Sequence, residues 1–170
     1  MTDNEKKISS FKPIIDKNTK AFVVGTMPSV QSLADNQYYA HPRNHFWHII
    51  SALFNDNKPF SSFEDKKACL LKNNIGLWDA LKSCHRKGSL DLNIKNAEPN
   101  DFGLYPQIQF YFFNGQMAYQ FFKRFNGSLL TPDNHIVLPS TSPANAGYNF
   151  DRKLCLWREA LEKQKLFVPV

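Results

Sequence analysis

Cysteine is sparse in this chain and poorly placed for cross-linking. Cys69, Cys84 and Cys155 stand far apart among 170 residues, and no Cys-x-x-Cys pair occurs. An odd, scattered set speaks against a disulfide framework or a zinc knuckle and reads as reduced thiols in a cytosolic protein. Long apolar runs are missing too: nothing approaches the ~20 residues that a membrane span needs. Residues 1–10 are polar and charged, so no signal peptide is expected. No Gly-x-Ser-x-Gly elbow presents a hydrolase nucleophile. Paired carboxylates suited to acid–base cleavage of sugars are not evident either. There is no internal repeat and no low-complexity linker.

What is abundant is apolar and aromatic. Hydrophobic residues make up 42% and aromatics 14%, with 15 Phe, enough to bury one core and to argue against disorder. The net charge of +6 suits a polyanionic partner, although many small soluble proteins are as basic. A single domain over residues 1–170 is expected, with 1–18 as a mobile or peripheral N-terminal segment.

Residues 20–25 read as a buried strand, 75–79 as a second, 108–113 as a third stopped by Asn114-Gly115, and 135–138 as a fourth. Between them the spacing predicts helices over about 43–54, 62–72 and 150–164, and helical spacing at Met117, Phe121, Phe122 and Phe125. Ser61-x-x-Glu64 resembles a capping box. Residues 26–43 read as a long loop and 82–97 as polar and loop-like. Strands alternating with helices predict an α/β fold: three layers, α/β/α, around a central four-stranded parallel sheet.

In such sheets ligands sit at the carboxyl ends of the strands, and the unusual residues fall there. Gly25-Thr26-Met27-Pro28-Ser29 follows the first strand, Asp79 ends the second, Asn114 the third, and Leu138–Ala146 follows the fourth. The turn at 25–29 and the segment LPSTSPANA at 138–146 are small, hydroxyl-rich and proline-braced. Ser29, Ser140 and Ser142 suit phosphate, because hydroxyls and backbone N–H groups together bind anions. An ordinary proline-rich loop would have the same composition. Tyr38 and Tyr39 either stack on a base or pin the loop to the core. Asn44 is either a helix cap or an amide that orients a water. His41, His45 and His48 have a spacing that would suit a metal, but no cysteine or carboxylate cluster completes a site. A triad of Ser140, His135 and Asp133 is disfavoured, because His135 falls at the wrong end of its strand.

Taken together, these residues resemble the uracil-DNA glycosylase superfamily, over about 22–157. The run Tyr39-Ala40-His41-Pro42-Arg43-Asn44-His45-Phe46-Trp47 is similar to a motif shared by its mismatch-specific and hypoxanthine (deoxyinosine) branches, and LPSTSPANA to the hypoxanthine branch's second motif. The resemblance implies a glycosylase fold, no cofactor (three scattered thiols cannot supply the iron–sulfur ligands of other branches), and a monofunctional DNA glycosylase of base excision repair. Such an enzyme hydrolyses the N-glycosidic bond of a deaminated base flipped out of the stack. Met27 is the departure: other branches hold Asn or Asp there to position water, which a thioether cannot do. The resemblance therefore implies Asn44 as the catalytic residue. It implies base binding by Gly25, Thr26, Met27, Tyr39, Asp79 and Asn114, with Tyr39 stacking and Asp79 reading the base. Ser29, Ser140 and Ser142 would hold DNA phosphates, and the wedge position falls at Ala144 and Asn145. The expected partner is double- or single-stranded DNA containing hypoxanthine, with uracil a further substrate, bound by a cytoplasmic monomer with no membrane and no metal. The alternatives are a mismatch-specific uracil or thymine glycosylase, a non-catalytic DNA-binding module of the same fold, and a small-molecule hydrolase that lacks a nucleophile.

Overall fold

A computed structural model describes residues 5–169. Twelve elements follow in order: β1 (Lys7–Ser9), β2 (Ala21–Gly25), α1 (Val30–Asp35), α2 (Phe46–Phe54), α3 (Phe63–Lys72), β3 (Ile75–Asp79), β4 (Leu81–His85), β5 (Lys95–Pro99), β6 (Phe110–Asn114), α4 (Gln116–Asn126), β7 (His135–Leu138) and α5 (Phe150–Lys163). The central sheet is parallel with strand order β3-β2-β6-β7. Gly25 lies level with Asp79 and Asn114 with Leu138, so the four carboxyl ends form one edge.

Why this sheet takes a layer on each face follows from the two-residue period of a strand. Ala21, Val23, Ile75, Leu77, Phe110 and Phe112 turn to one side, where they meet apolar residues of α2, α3 and α5. Phe22, Val24, Trp78, Tyr111 and Phe113 turn to the other, against Ala118 and Phe122 of α4 and against Phe102. Strands buried on both faces read as continuous apolar runs, which is why the sequence shows β2, β3 and β6; the half-buried edge strand β7 shows through its Ile136-Val137-Leu138 run. The α/β/α architecture expected from the sequence is the one observed.

Several local expectations are corrected or sharpened. The 82–97 stretch is no loop: β4 and β5 build a three-stranded antiparallel sheet of order β1-β4-β5. Every residue of β5 is at least partly exposed, so the strand is held by backbone pairing and carries no apolar alternation to reveal it. The N-terminal segment is tied down where it is described, since β1 pairs with β4 and Ile14 is buried, exchanging two backbone hydrogen bonds with Leu77; residues 1–4 lie outside the described residues. The long loop holds α1, opened by Ser29, whose Oγ accepts from the Ser32 N–H at 3.1 Å. Finally, α3 is capped by Ser62 rather than Ser61, through a bond from the Asp65 N–H, and α2 begins only at Phe46 because residues 41–45 turn first.

Candidate active site

At the carboxyl edge of the central sheet the chain encloses a cavity of about 690 Å³. Its floor is where β2 and β3 end. Asp79 is 2% exposed there and one of its oxygens, Oδ2, accepts from the Ser10 hydroxyl at 2.6 Å. The other, Oδ1, lies against Gly25 beside the Tyr39 hydroxyl: a Cβ at position 25 would collide with Oδ1 and stand 2.8 Å from Tyr39 Oη. Only a residue without a side chain lets the carboxyl and the phenol approach this closely. Burial pushes the Asp79 carboxyl up to about 7; the Ser10 bond and Arg86 oppose this, and Asp91 adds to it. Burial, then the nearby Asp79, raises the Tyr39 hydroxyl above the ordinary tyrosine range.

Of the two tyrosines, Tyr38 pins the loop. It is buried, donates to the Lys12 carbonyl at 2.9 Å, and its own carbonyl accepts from the Trp47 indole at 2.7 Å. Tyr39 lines the cavity, with its ring centroid 4.4 Å from that of Phe46. It holds a positive φ of 53°, a costly conformation for an aromatic residue that is found where surrounding packing imposes it.

One wall is the segment after β7, and Asn114 fixes it. The Asn114 Oδ1 accepts from the Thr141 N–H at 2.9 Å and its Nδ2 donates to the Thr141 hydroxyl at 2.9 Å. The Thr141 carbonyl in turn accepts from the His45 N–H at 3.0 Å, so β6, the 139–146 loop and the start of α2 form one hydrogen-bonded unit. Within the loop, Ser140 Oγ accepts from the Ser142 N–H, Ser142 Oγ accepts from the Ala144 N–H, and Asn145 Nδ2 donates to the Ser140 carbonyl. Ser140, Ser142, Ala144 and Asn145 all face the cavity.

Asn44 lines the same cavity from the loop before α2. Its Oδ1 accepts from the Phe46 N–H at 2.9 Å and its own N–H donates to the His41 carbonyl at 2.9 Å. Asn44 therefore closes an Asx turn onto the first N–H of α2, while His45 takes the N-cap position without a side-chain bond; a carbonyl oxygen has a second lone pair, and the turn holds that oxygen in place. Met27 lines the cavity too, yet its side chain packs into a small apolar cluster with Leu81 and Cys84. Gly25, Thr26 and Ser29 complete that rim. Every residue that the resemblance implies for the site thus borders one space, whereas His45, His48, Asp133 and His135 do not.

The histidines take separate partners: His41 Nδ1 accepts from the Arg43 N–H at 3.1 Å, and His48 Nε2 sits 3.3 Å from the Pro42 carbonyl. His135 stacks on Tyr119 at the amino end of β7, the opposite end from Ser140, so no triad forms.

The sequence model of the Uracil DNA glycosylase superfamily matches residues 13–164. The chain belongs to that superfamily. It is 33% identical over 147 residues to a protein named Hypoxanthine DNA glycosylase from Methanosarcina acetivorans, a match covering 84% of this chain and 91% of that one. A Methanosarcina barkeri protein of the same name is 33% identical over 116 residues, or 66% and 73% of the two chains. The solution NMR structure of a uracil DNA glycosylase candidate from M. acetivorans superposes with a TM-score of 0.74 at 31% identity, over 91% of this chain and 98% of that one.

This superfamily member also has cavity residues that the sequence did not reveal. Ser89, Leu90, Asp91 and Leu92 form part of the lining, and Ser10 reaches the floor through Asp79. The 86–92 stretch reads as solvated loop, and only its two leucines among polar neighbours hint at more. Ser10 lies in a segment whose pairing is non-local, which no sequence window shows. Among the described residues no helix is long and apolar enough to cross a membrane.

Proposed function

We propose that this chain is a monofunctional DNA glycosylase that excises hypoxanthine from deoxyinosine in DNA, working as a cytoplasmic monomer. The observation that carries the reading is the convergence of Asn44, Tyr39, Asp79 and the 139–146 loop on one cavity, in a chain whose relatives bear that enzyme name.

A flipped base enters the cavity with Tyr39 against one face. Hypoxanthine presents an N1–H, and the ionised Asp79 accepts from it through Oδ1 while Ser10 holds Oδ2. Adenine has a lone pair at that position and is repelled. Ser29, Ser140, Ser142 and nearby basic side chains grip the phosphates. As the bond from the sugar carbon C1′ to base nitrogen N9 breaks, its electron pair leaves with the base. Backbone N–H groups of the 25–29 turn stabilise that developing negative charge, and the DNA phosphates stabilise the positive charge on the sugar. Asn44 Oδ1 accepts from one hydrogen of a water and aims its oxygen at C1′, where the new C–O bond forms. That water's proton passes to solvent and the base is protonated from solvent. Asn44 binds no proton at any stage, which suits a reaction whose leaving group departs early. Positioning of this kind is worth several kcal/mol.

Uracil is a second substrate on this reading, because its N3–H offers Asp79 the same donor; the resemblance of the fold to a uracil DNA glycosylase candidate favours it. The test is a panel of duplexes holding one deoxyinosine, uracil or thymine opposite each normal base, followed by alkali. Breakage at deoxyinosine is expected. Breakage confined to mismatched uracil or thymine would move the protein to the mismatch-specific branch, and none at all would leave a DNA-binding module.

A further inference from the structure

Among the described residues, six large apolar side chains stand exposed, and three of them border the cavity: Val30 at 57%, Leu90 at 55% and Leu92 at 84%. A single exposed leucine is ordinary, whereas three exposed apolar side chains lining one open cavity call for an occupant. The loop that carries the leucines is braced. Residues 91–93 form a 3₁₀ turn, closed by bonds from the Asn93 N–H to the Leu90 carbonyl at 3.0 Å and from the Ile94 N–H to the Asp91 carbonyl at 3.1 Å. Buried Arg86 donates to the carbonyls of Gly88 and Pro28, and its guanidinium lies 3.9 Å from Asp91. Ser89 Oγ accepts from the Val30 N–H at 2.9 Å. The leucines are therefore held fixed relative to the 25–29 turn.

Bonds to Pro28 and Val30 put this loop beside the segment that follows β2, whereas the 139–146 loop follows β7 at the sheet's far edge. On the β7 side stand Ala144 and Asn145, neither of them bulky, and Asn145 is tied back to Ser140. We propose that Leu92, backed by Leu90, is the wedge that enters the duplex where the target nucleotide leaves the stack. An aliphatic side chain between base steps is a common way for proteins to hold a duplex open, and here it lies beside the space the base enters. The inference rests on the glycosylase reading above.

The test compares single-turnover excision of hypoxanthine from duplex and from single-stranded oligonucleotides by the wild type, Leu92→Ala and Leu92→Phe. A single strand has no gap to fill, so Leu92→Ala should lower the duplex-to-single-strand rate ratio at least about tenfold, and Leu92→Phe should restore most of it. An active wild type with the same ratio in Leu92→Ala overturns the wedge while leaving the glycosylase reading intact. A wild type that excises from neither substrate overturns both.

Discussion

Asp79 combines burial, a single hydroxyl partner and a close glycine, and these set its behaviour with pH. Its carboxyl is raised from 3.8 to about 7 by burial. An acid with a higher pKa folded than unfolded binds more protons in the native state between those values, so its contribution to stability is complete below about 4 and is lost as pH rises to about 7. The span corresponds to roughly a few kcal/mol. Thermal unfolding of Asp79→Asn between pH 4 and pH 8 should therefore decline less than that of the wild type; an identical decline would show that Asp79 is not the titrating group. In the proposed mechanism the ionised form that costs stability is the one that accepts from the base N1–H, so on that proposal excision should rise over the same interval. At this scale the sequence was informative about residue type and position. It offered no view of Ser10 as partner of Asp79, because that contact spans 69 residues and joins two segments with no shared pattern. It did expose the two readings of Asn44, as cap and as water-holder; the structure shows its oxygen accepting from the Phe46 N–H, with a second lone pair left over.

Among the elements, the link between β6, the 139–146 loop and α2 depends on one amide. Replacing Asn114 by Ala leaves the fully buried Thr141 N–H and hydroxyl unpaired, a loss of roughly 1–3 kcal/mol for each buried group left without a partner. Denaturant unfolding of Asn114→Ala should show that destabilisation, with increased proteolytic cutting in 139–146; wild-type stability would mean the loop is held by other bonds. Legibility here follows burial. β2, β3 and β6 of the central sheet are buried on both faces, the edge strand β7 is half-buried, and α2, α4 and α5 are buried on one face, so their apolar patterns are strong. β5 rests on backbone pairing of partly exposed residues, β4 buries Leu81 and Cys84 among polar neighbours, and α1 has only six residues opened by a serine. Such elements leave little apolar trace, and both α1 and the loop between β4 and β5 border the cavity, so the least readable stretches were those shaping its mouth.

For the whole molecule, a net charge of +6 and a cavity rimmed by serine hydroxyls suit a polyanion. Affinity for a deoxyinosine duplex should fall linearly with salt on a log–log scale as phosphate contacts release counterions; an affinity indifferent to salt would argue against a duplex partner. The architecture and the convergence of four strand ends were readable because a parallel sheet dictates where its loops go, whereas the depth of the cavity and the rim of leucines required the packed chain. The central claim is that Asn44 holds the water that attacks the sugar. It is tested most directly by single-turnover excision and binding with Asn44→Ala on a deoxyinosine duplex. The account predicts that excision is abolished, on the order of the several kcal/mol that positioning supplies, while duplex affinity stays near wild type. Wild-type excision by that variant would contradict it.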